Sequence, residues 1–154
     1  MKLTIELVPK QLWYANPRKA MGQKHWDTLR KQVYAQYGHR CGICGSDARL
    51  QCHERWTYDD EKHVQTLTGF IALCEWCHHV KHIGLAGILA EEGKLDYERV
   101  ITHFCTVNEC SREDFTQHHK QAFAEWRERN THTWTADWGA YAHLMETATP
   151  ASPQ

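Results

Sequence analysis

The chain has 154 residues with 18 basic and 19 acidic side chains, so its near-neutral charge excludes a protein that coats nucleic acid by bulk electrostatics. Its length fits a single domain, and no segment is long and apolar enough to cross a membrane. Nothing resembles a secretory signal, so we expect a cytoplasmic protein whose seven cysteines stay reduced and whose close cysteine pairs bind metal.

The N-terminal region, about 1–37, predicts a short strand and a helix. Residues 3–8 (LTIELV) alternate apolar and polar side chains, as a strand with one buried face does. Over residues 24–37 the apolar positions recur at helical spacing, and Gly38 follows where such a helix would end. Trp13, in the turn-rich stretch between these elements, is expected to be a buried anchor.

The next region, about 38–84, carries two C-x-x-C pairs. Cys41 and Cys44 form the first, and Cys74 and Cys77 form the second. Tetrahedral zinc takes four thiolates at about 2.3 Å, and two such knuckles supply them from two segments of the chain. The alternative is two reduced pairs packed as small apolar residues. In a chain with few aliphatic residues, an ion that ties distant segments is the more economical account, so we expect structural Zn²⁺.

Histidines in the same region suggest a second site. His78 and His82 are four residues apart directly after the second cysteine pair, so on a helix they would project from one face and can hold one ion. Cys52 and His53 lie on the strand-like segment RLQCHERW between the knuckles. This strand, a second strand (GFIAL) and the helix would form a β-β-α unit within an α+β fold.

The C-terminal extension, about 85–145, is predicted to be helical. Asp96 is a plausible N-cap for one helix, and Ser111 and Asp114 stand close to capping-box spacing at the start of the clearest helix in the chain. The Thr/Ala/Pro-rich end is expected to be frayed. Because no linker divides the chain, we expect a single domain over residues 1–154, with N-terminal and C-terminal helices flanking the cysteine-rich core.

Together, the segments CGIC, LQCHERW and ALCEWCHHVKH resemble an HNH endonuclease of the ββα-metal type with a four-cysteine structural zinc. The resemblance covers residues 40–83 and implies hydrolysis of a DNA phosphodiester bond with one divalent metal and a histidine general base. It implies that His53 is the base and that His78 and His82 are metal ligands. A neutral imidazole can take a proton from water at neutral pH, while the metal offsets charge on the phosphate. Arg55 would contact the phosphate, or is an ordinary surface charge.

Two positions depart from the family pattern. Cys52 stands where the family usually has an Asp or His that binds the catalytic metal. If Cys52 binds with His78 and His82, the site suits Zn²⁺ or another transition metal (Mn²⁺, Ni²⁺) better than Mg²⁺. If it does not bind, waters or a carboxylate such as Glu54 must complete the site. Gly69 stands where the family has an asparagine that holds the loop orienting the base, and nearby threonines are the polar candidates to replace it.

Three functional readings follow, and we favour the first. The first is a metal-dependent endonuclease acting on DNA. The second is a catalytically lapsed ββα zinc module that binds nucleic acid or a protein partner, which the departures at Cys52 and Gly69 favour. The third is a protein–protein adaptor in which all these residues form one expanded zinc core. No pattern indicates the oligomeric state.

Overall fold

The computed structural model describes residues 1–146, and the predicted frayed end, 147–154, lies outside the described residues. The fold is α+β, as predicted. Its helices and strands, in chain order, are α1 (Pro17–Met21), α2 (Gln23–Gln36), β1 (Leu50–Asp59), β2 (Val64–Cys74), α3 (Glu75–Lys81), α4 (Ile83–Glu91), α5 (Tyr97–Asn108), α6 (Arg112–Arg129) and β3 (Thr135–Asp137). Short 3-10 turns occur at Lys10–Leu12 and Gly139–Leu144. None of the helices described is long and apolar enough to cross a membrane.

A long hairpin followed by a short helix forms the centre of the fold. β1 pairs antiparallel with β2, with Cys52 opposite Ala72 and His53 opposite Ile71. β3 adds to β2 in parallel, so the strand order in this sheet is β1-β2-β3. β2 runs directly into α3, where the Cys74 side chain caps the helix by accepting a hydrogen bond from the Cys77 amide. The predicted strand, strand, helix order is therefore present.

Two hydrophobic clusters lie on the two faces of the sheet. Because side chains alternate along a strand, Ile71 and Leu73 point to one face of β2 while Phe70 and Ala72 point to the other. Leu73 packs with buried residues of α3, α5 and α6, among them Val80, Phe104 and Phe115. Phe70 and Ala72 pack with Trp26 and Val33 of α2 and with Trp138. The cysteine knuckles and α3 therefore lie on the first face, and α2 covers the second.

Several predicted helix boundaries are confirmed. α2 spans nearly the predicted range and is followed by Gly38 in the left-handed conformation, with φ +62°. The Asp96 side chain accepts hydrogen bonds from two amides at the start of α5. Ser111 and Asp114 form a reciprocal capping box at the start of α6. Each cap satisfies amides that the first helical turn leaves without a partner, which stabilises the helix by about 1 kcal/mol.

The predicted strand at residues 3–8 is wrong in its hydrogen bonding, although the alternation correctly identified Leu3 and Ile5 as buried. The backbone of this extended segment bonds to side chains instead of to another strand. The Asn108 side chain accepts from the Leu3 amide at 2.9 Å and donates to the Leu3 carbonyl at 2.8 Å. The Ile5 amide donates to Nε2 of His118 at 2.9 Å. The segment is therefore docked onto α5 and α6.

The prediction that Trp13 is a buried anchor is also wrong. Its side chain is 63% exposed, and its indole N–H donates to the Val8 carbonyl at 2.9 Å. Trp126 of α6 donates to the same carbonyl at 3.0 Å. The two indoles therefore stand on either side of one backbone carbonyl at the edge of a cavity described below.

Candidate metal centres

The four predicted cysteines meet in one group. The sulfurs of Cys41, Cys44, Cys74 and Cys77 all lie within 4.8 Å of one another. Sγ of Cys44 is 3.6 Å from Sγ of Cys74, and two sulfurs that share a tetrahedral zinc at 2.3 Å would be about 3.8 Å apart. The group can therefore hold a structural metal such as zinc with little movement.

The first knuckle is shaped by one backbone hydrogen bond and by two glycines, of which Gly42 is crowded by neighbouring side chains. The Gly42 amide donates to the Ala72 carbonyl at 2.8 Å, which ties the knuckle to β2. A Cβ at Gly42 would come within 2.7 Å of the Tyr37 ring. Gly45 adopts a φ of +77°, which disfavours other residues. The second knuckle is built on the cap of α3, so the two cysteine pairs approach from the hairpin and from its preceding loop.

The protonation of the cysteine group favours a bound cation. Hydrogen bonds from Cys74 and Cys77 lower the pKa of the Cys41 thiol, while the same contacts and burial raise the pKa of Cys77. The Cys77 thiol therefore resists ionisation beside Cys41 unless a cation is bound. A divalent ion would offset the charge of the remaining thiolates, and its binding would release their protons.

A histidine missed by the sequence analysis touches this group. Nε2 of His103, on α5, lies 3.2 Å from Sγ of Cys77. A ring N–H at this distance can donate to a thiolate, which would fix the sulfur and link α5 to the cysteine group. The sequence offers one signal: His103 stands directly before Phe104, an apolar position of the predicted helix.

Three histidines form a second group. Nitrogens of His53 from β1 and of His78 and His82 from the end of α3 lie within 4.8 Å of one another. The ring centroid of His53 is 5.3 Å from that of His78 and 5.0 Å from that of His82. His53 reaches α3 because it points to the same face of the hairpin as Ile71. Three neutral imidazoles are a common ligand set for zinc and other transition metals.

His53 is buried, and His78 and His82 are half-buried side chains that resist protonation. His53 is 3% exposed, and among the described residues neither of its ring nitrogens has a hydrogen-bond partner. Burial, and the positive charge that the neighbouring histidines would carry, lower the pKa of His78 to about 3 and that of His82 to about 4. Buried nitrogens without partners are costly, and metal coordination would satisfy one of the two nitrogens of His53. The residues of this group therefore fit a divalent ion.

The expected role of His53 as a general base stays a prediction, and the geometry of its ring favours a ligand role instead. A base must reach the water from which it takes a proton, yet both ring nitrogens of His53 are buried. They face His78 and His82, so the side chain is placed as a ligand alongside them. The sequence pattern identified the correct residue but not its orientation.

The expectation that Cys52 is a metal ligand is also corrected. Cys52 and His53 are adjacent on β1, so their side chains point to opposite faces of the sheet. Cys52 packs against the cluster on the α2 face, and burial raises the pKa of its thiol to about 12. It is therefore a protonated, partly buried side chain on the face away from the histidines.

A cavity of about 480 Å³ opens beside the histidine group. His53, Glu54 and His82 line it at one side, and most of the remaining lining is apolar. Trp13, together with Leu85 and Ile88 of α4, is exposed and lines the same cavity. The volume is within the range of small-ligand sites, and the cavity connects the histidines with solvent.

The remaining predicted site residues lie around the bulge in the hairpin, where Thr68 of β2 is the unpaired residue. Arg55 is exposed two residues beyond His53, and the register shifts between Arg55 and Trp56. Gly69 pairs with Arg55, so the position expected for an asparagine lies in the hairpin ladder. Thr68 donates from Oγ1 to the Arg55 carbonyl at 3.1 Å, which holds the two strands together at the bulge.

A carboxylate that the sequence analysis missed lies beside the histidines. Oε2 of Glu6 is 3.5 Å from Nε2 of His53, and the Glu6 side chain is 22% exposed. Glu6 belongs to the N-terminal segment docked onto α5 and α6 and lines the same cavity. Sequence spacing alone could not pair residues 6 and 53, because side-chain hydrogen bonds far along the chain bring the segment here.

Comparison with known proteins identifies no relative: the chain matches no protein-family model, no curated protein and no solved structure. The functional assignment therefore depends on the geometry of the two groups and on the sequence segments described above.

Proposed function

We propose that the chain is a metal-dependent endonuclease of the HNH type that hydrolyses phosphodiester bonds of DNA. In this proposal the four cysteines hold a structural zinc and the three histidines hold a second divalent metal. The observation that carries it is the buried His53, whose ring nitrogens have no hydrogen-bond partner in residues 1–146 and face His78 and His82 beside a cavity. The hairpin followed directly by α3 agrees with the ββα order of that family.

The histidines would act as neutral ligands. Because burial holds the pKa of His78 and that of His82 well below 7, the imidazoles need not lose a proton to bind a cation at neutral pH. A divalent metal bound there supplies electrophilic stabilisation of the negative charge that develops on the phosphate oxygens. The apolar walls of the cavity restrict water around the reacting groups, which strengthens electrostatic interactions there.

Glu54 is the residue we propose to accept the proton from the attacking water. It follows His53 on β1, an edge strand, where alternation directs its side chain away from the His53 ring, and the residue lines the cavity, so it would act on a water held in the cavity. This assignment replaces the base role that the sequence suggested for His53. Arg55, exposed on the same strand, would contact a phosphate outside the cavity.

A cleavage assay on supercoiled plasmid DNA with a panel of divalent metals tests the proposal. We expect the wild-type protein to nick the plasmid in at least one metal and His82→Ala to lose this activity. Glu54→Gln should lower the rate by about 10²–10⁴-fold, as expected for a general base. His79→Ala is the matched control, because His79 lies on the same helix but outside the histidine group. Full activity of both His82→Ala and Glu54→Gln would contradict the proposal.

A second candidate is a module that binds metal and nucleic acid without cleaving it. One observation favours it: among the described residues that line the cavity, none is a lysine or arginine that would hold a phosphate. This candidate predicts two bound ions and measurable DNA binding at low salt, where phosphate contacts are strongest, but no cleavage with any metal. The same plasmid assay, combined with a binding measurement, separates the two candidates.

A further inference from the structure

We propose that Glu6 is a fourth protein ligand of the histidine group, brought there by the N-terminal segment. This inference depends on the second metal site of the proposed function, but not on cleavage of DNA. The site would then consist of three neutral imidazoles and one carboxylate, with space on the cavity side for a water or substrate oxygen.

The separation of Glu6 and His53 suits shared coordination better than a hydrogen bond. Oε2 of Glu6 and Nε2 of His53 are 3.5 Å apart, and within the described part of the chain His53 makes no side-chain hydrogen bond. Two ligand atoms bound to a tetrahedral zinc at 2.0–2.1 Å would be about 3.3 Å apart. A charge-assisted N–H···O bond would be shorter, at about 2.7–2.9 Å. The observed distance is thus close to that of two atoms on one ion.

The backbone that leads to Glu6 is anchored residue by residue, so the carboxylate does not depend on a flexible terminus. The Leu3 backbone makes two hydrogen bonds with Asn108, and the Ile5 amide bonds to His118. Nζ of Lys81 donates to the Thr4 hydroxyl at 3.0 Å. The Glu6 amide donates to the Lys81 carbonyl at 3.4 Å, next to His82. Hydrogen bonds at four consecutive residues, 3–6, therefore hold Glu6 against the end of α3.

An ordinary ion pair is the alternative explanation. It would require a proton on His53, whose ring is 3% exposed and stands against the rings of His78 and His82. A buried imidazolium at that position would lose its hydration and gain only one long contact to a carboxylate. The Glu6 carboxylate lies outside the group of atoms that are within 4.8 Å of one another, so it would move towards His78 and His82 when one cation binds a nitrogen of each ring and the carboxylate together.

The test uses Co²⁺, whose visible absorption changes with the number and type of its ligands. Full-length protein is first loaded with one equivalent of Zn²⁺ to fill the cysteine group, and Co²⁺ is then titrated into the histidine group. We expect Glu6→Gln to weaken Co²⁺ binding by about tenfold or more and to alter the visible spectrum. Glu61→Gln, an exposed carboxylate on the hairpin turn, is the control and should match the wild type.

The variant Glu6→Asp distinguishes a metal ligand from a partner in an ion pair. It also replaces Glu6→Gln in the test if that variant does not fold. It keeps the charge but withdraws the carboxylate by one methylene, so a ligand role predicts weaker Co²⁺ binding and a changed spectrum. Unchanged affinity and spectrum in either folded variant would overturn the role of Glu6. If the wild-type protein takes up no Co²⁺ beyond the cysteine group, the second metal site itself fails, which is a different outcome.

Discussion

The pKa values of His78 and His82 tie the metal site to the stability of the fold. Burial is the main cause of both shifts, and the neighbouring histidines add to them. In the unfolded chain each imidazole titrates near its ordinary value of about 6.5. Below pH 6.5 the two imidazoles are therefore protonated in the unfolded state but stay neutral in the folded state.

This difference predicts an acid-sensitive fold when the histidine group holds no metal. The stability contributed by the two histidines is fully present above pH 6.5 and is lost as the pH falls towards about 4. The free energy of unfolding should fall by about 1.4 kcal/mol per pH unit for each histidine in that range. Urea unfolding of protein carrying zinc at the cysteine group only, measured between pH 7 and 5, gives this slope.

The double variant His78→Ala/His82→Ala is the control for that slope. It keeps the cysteine group, so any acid sensitivity of zinc binding is common to both proteins. We expect a shallower dependence of stability on pH in the double variant, and an identical slope would contradict the assigned pKa shifts.

Cys52 provides a second prediction at the scale of single residues. Because its side chain packs on the α2 face, Cys52→Ala should leave metal binding by the histidines unchanged. The small loss of packing should lower stability by about 1 kcal/mol. Isothermal titration with Co²⁺ on the zinc-loaded variant measures the affinity, and a tenfold loss would show that Cys52 reaches the ion after all.

At this scale the sequence predicts residue types and spacing better than orientation. The C-x-x-C pairs and the four-residue spacing of His78 and His82 correctly grouped six of these side chains from local pattern alone. The alternation of the predicted strand already separates Cys52 from His53, and the family pattern suggested the wrong ligand. The burial of His53 depends on packing against α3, which local spacing does not contain.

At the scale of elements, the N-terminal segment matters because it carries Glu6 without belonging to the sheet. Its backbone partners are the side chains of Asn108 and His118, about a hundred residues away. Alternation in residues 3–8 predicted the burial of Leu3 and Ile5. It could not show that the backbone of this segment would form hydrogen bonds with side chains instead of with a neighbouring strand. The caps at Asp96 and Ser111 were predictable because they are local.

Asn108→Ala tests the anchoring of this segment. The substitution leaves the amide and carbonyl of Leu3 without their partner, so stability should fall by about 1–3 kcal/mol. If the segment also delivers Glu6, Co²⁺ affinity at the histidine group should fall in the same variant. Asn130→Ala, which removes one exposed hydrogen bond to the Lys10 amide, is the control. An equal and small effect of both variants would show that the segment is not held through Asn108.

At the scale of the whole molecule, α3 connects the two candidate metal centres. Its first turn carries Cys77, and its last turns carry His78 and His82, so an ion at the cysteines would position the helix that supplies two of the three histidines. The hairpin followed by α3 and the α+β class followed from the sequence, whereas β3 lies in the C-terminal extension that was predicted to be helical. The cavity could not be predicted from the sequence. It forms where α4, α6 and the N-terminal segment pack together, and these segments are far apart along the chain.

The number of metal ions per chain tests the central claim most directly. Metal content measured by mass spectrometry on purified protein equilibrated with zinc should be two ions per chain for the wild type and for His79→Ala. It should be one for His82→Ala and for His53→Ala, with the fold retained. A single ion in the wild type, or two ions in both histidine variants, would contradict a second metal centre at His53, His78 and His82.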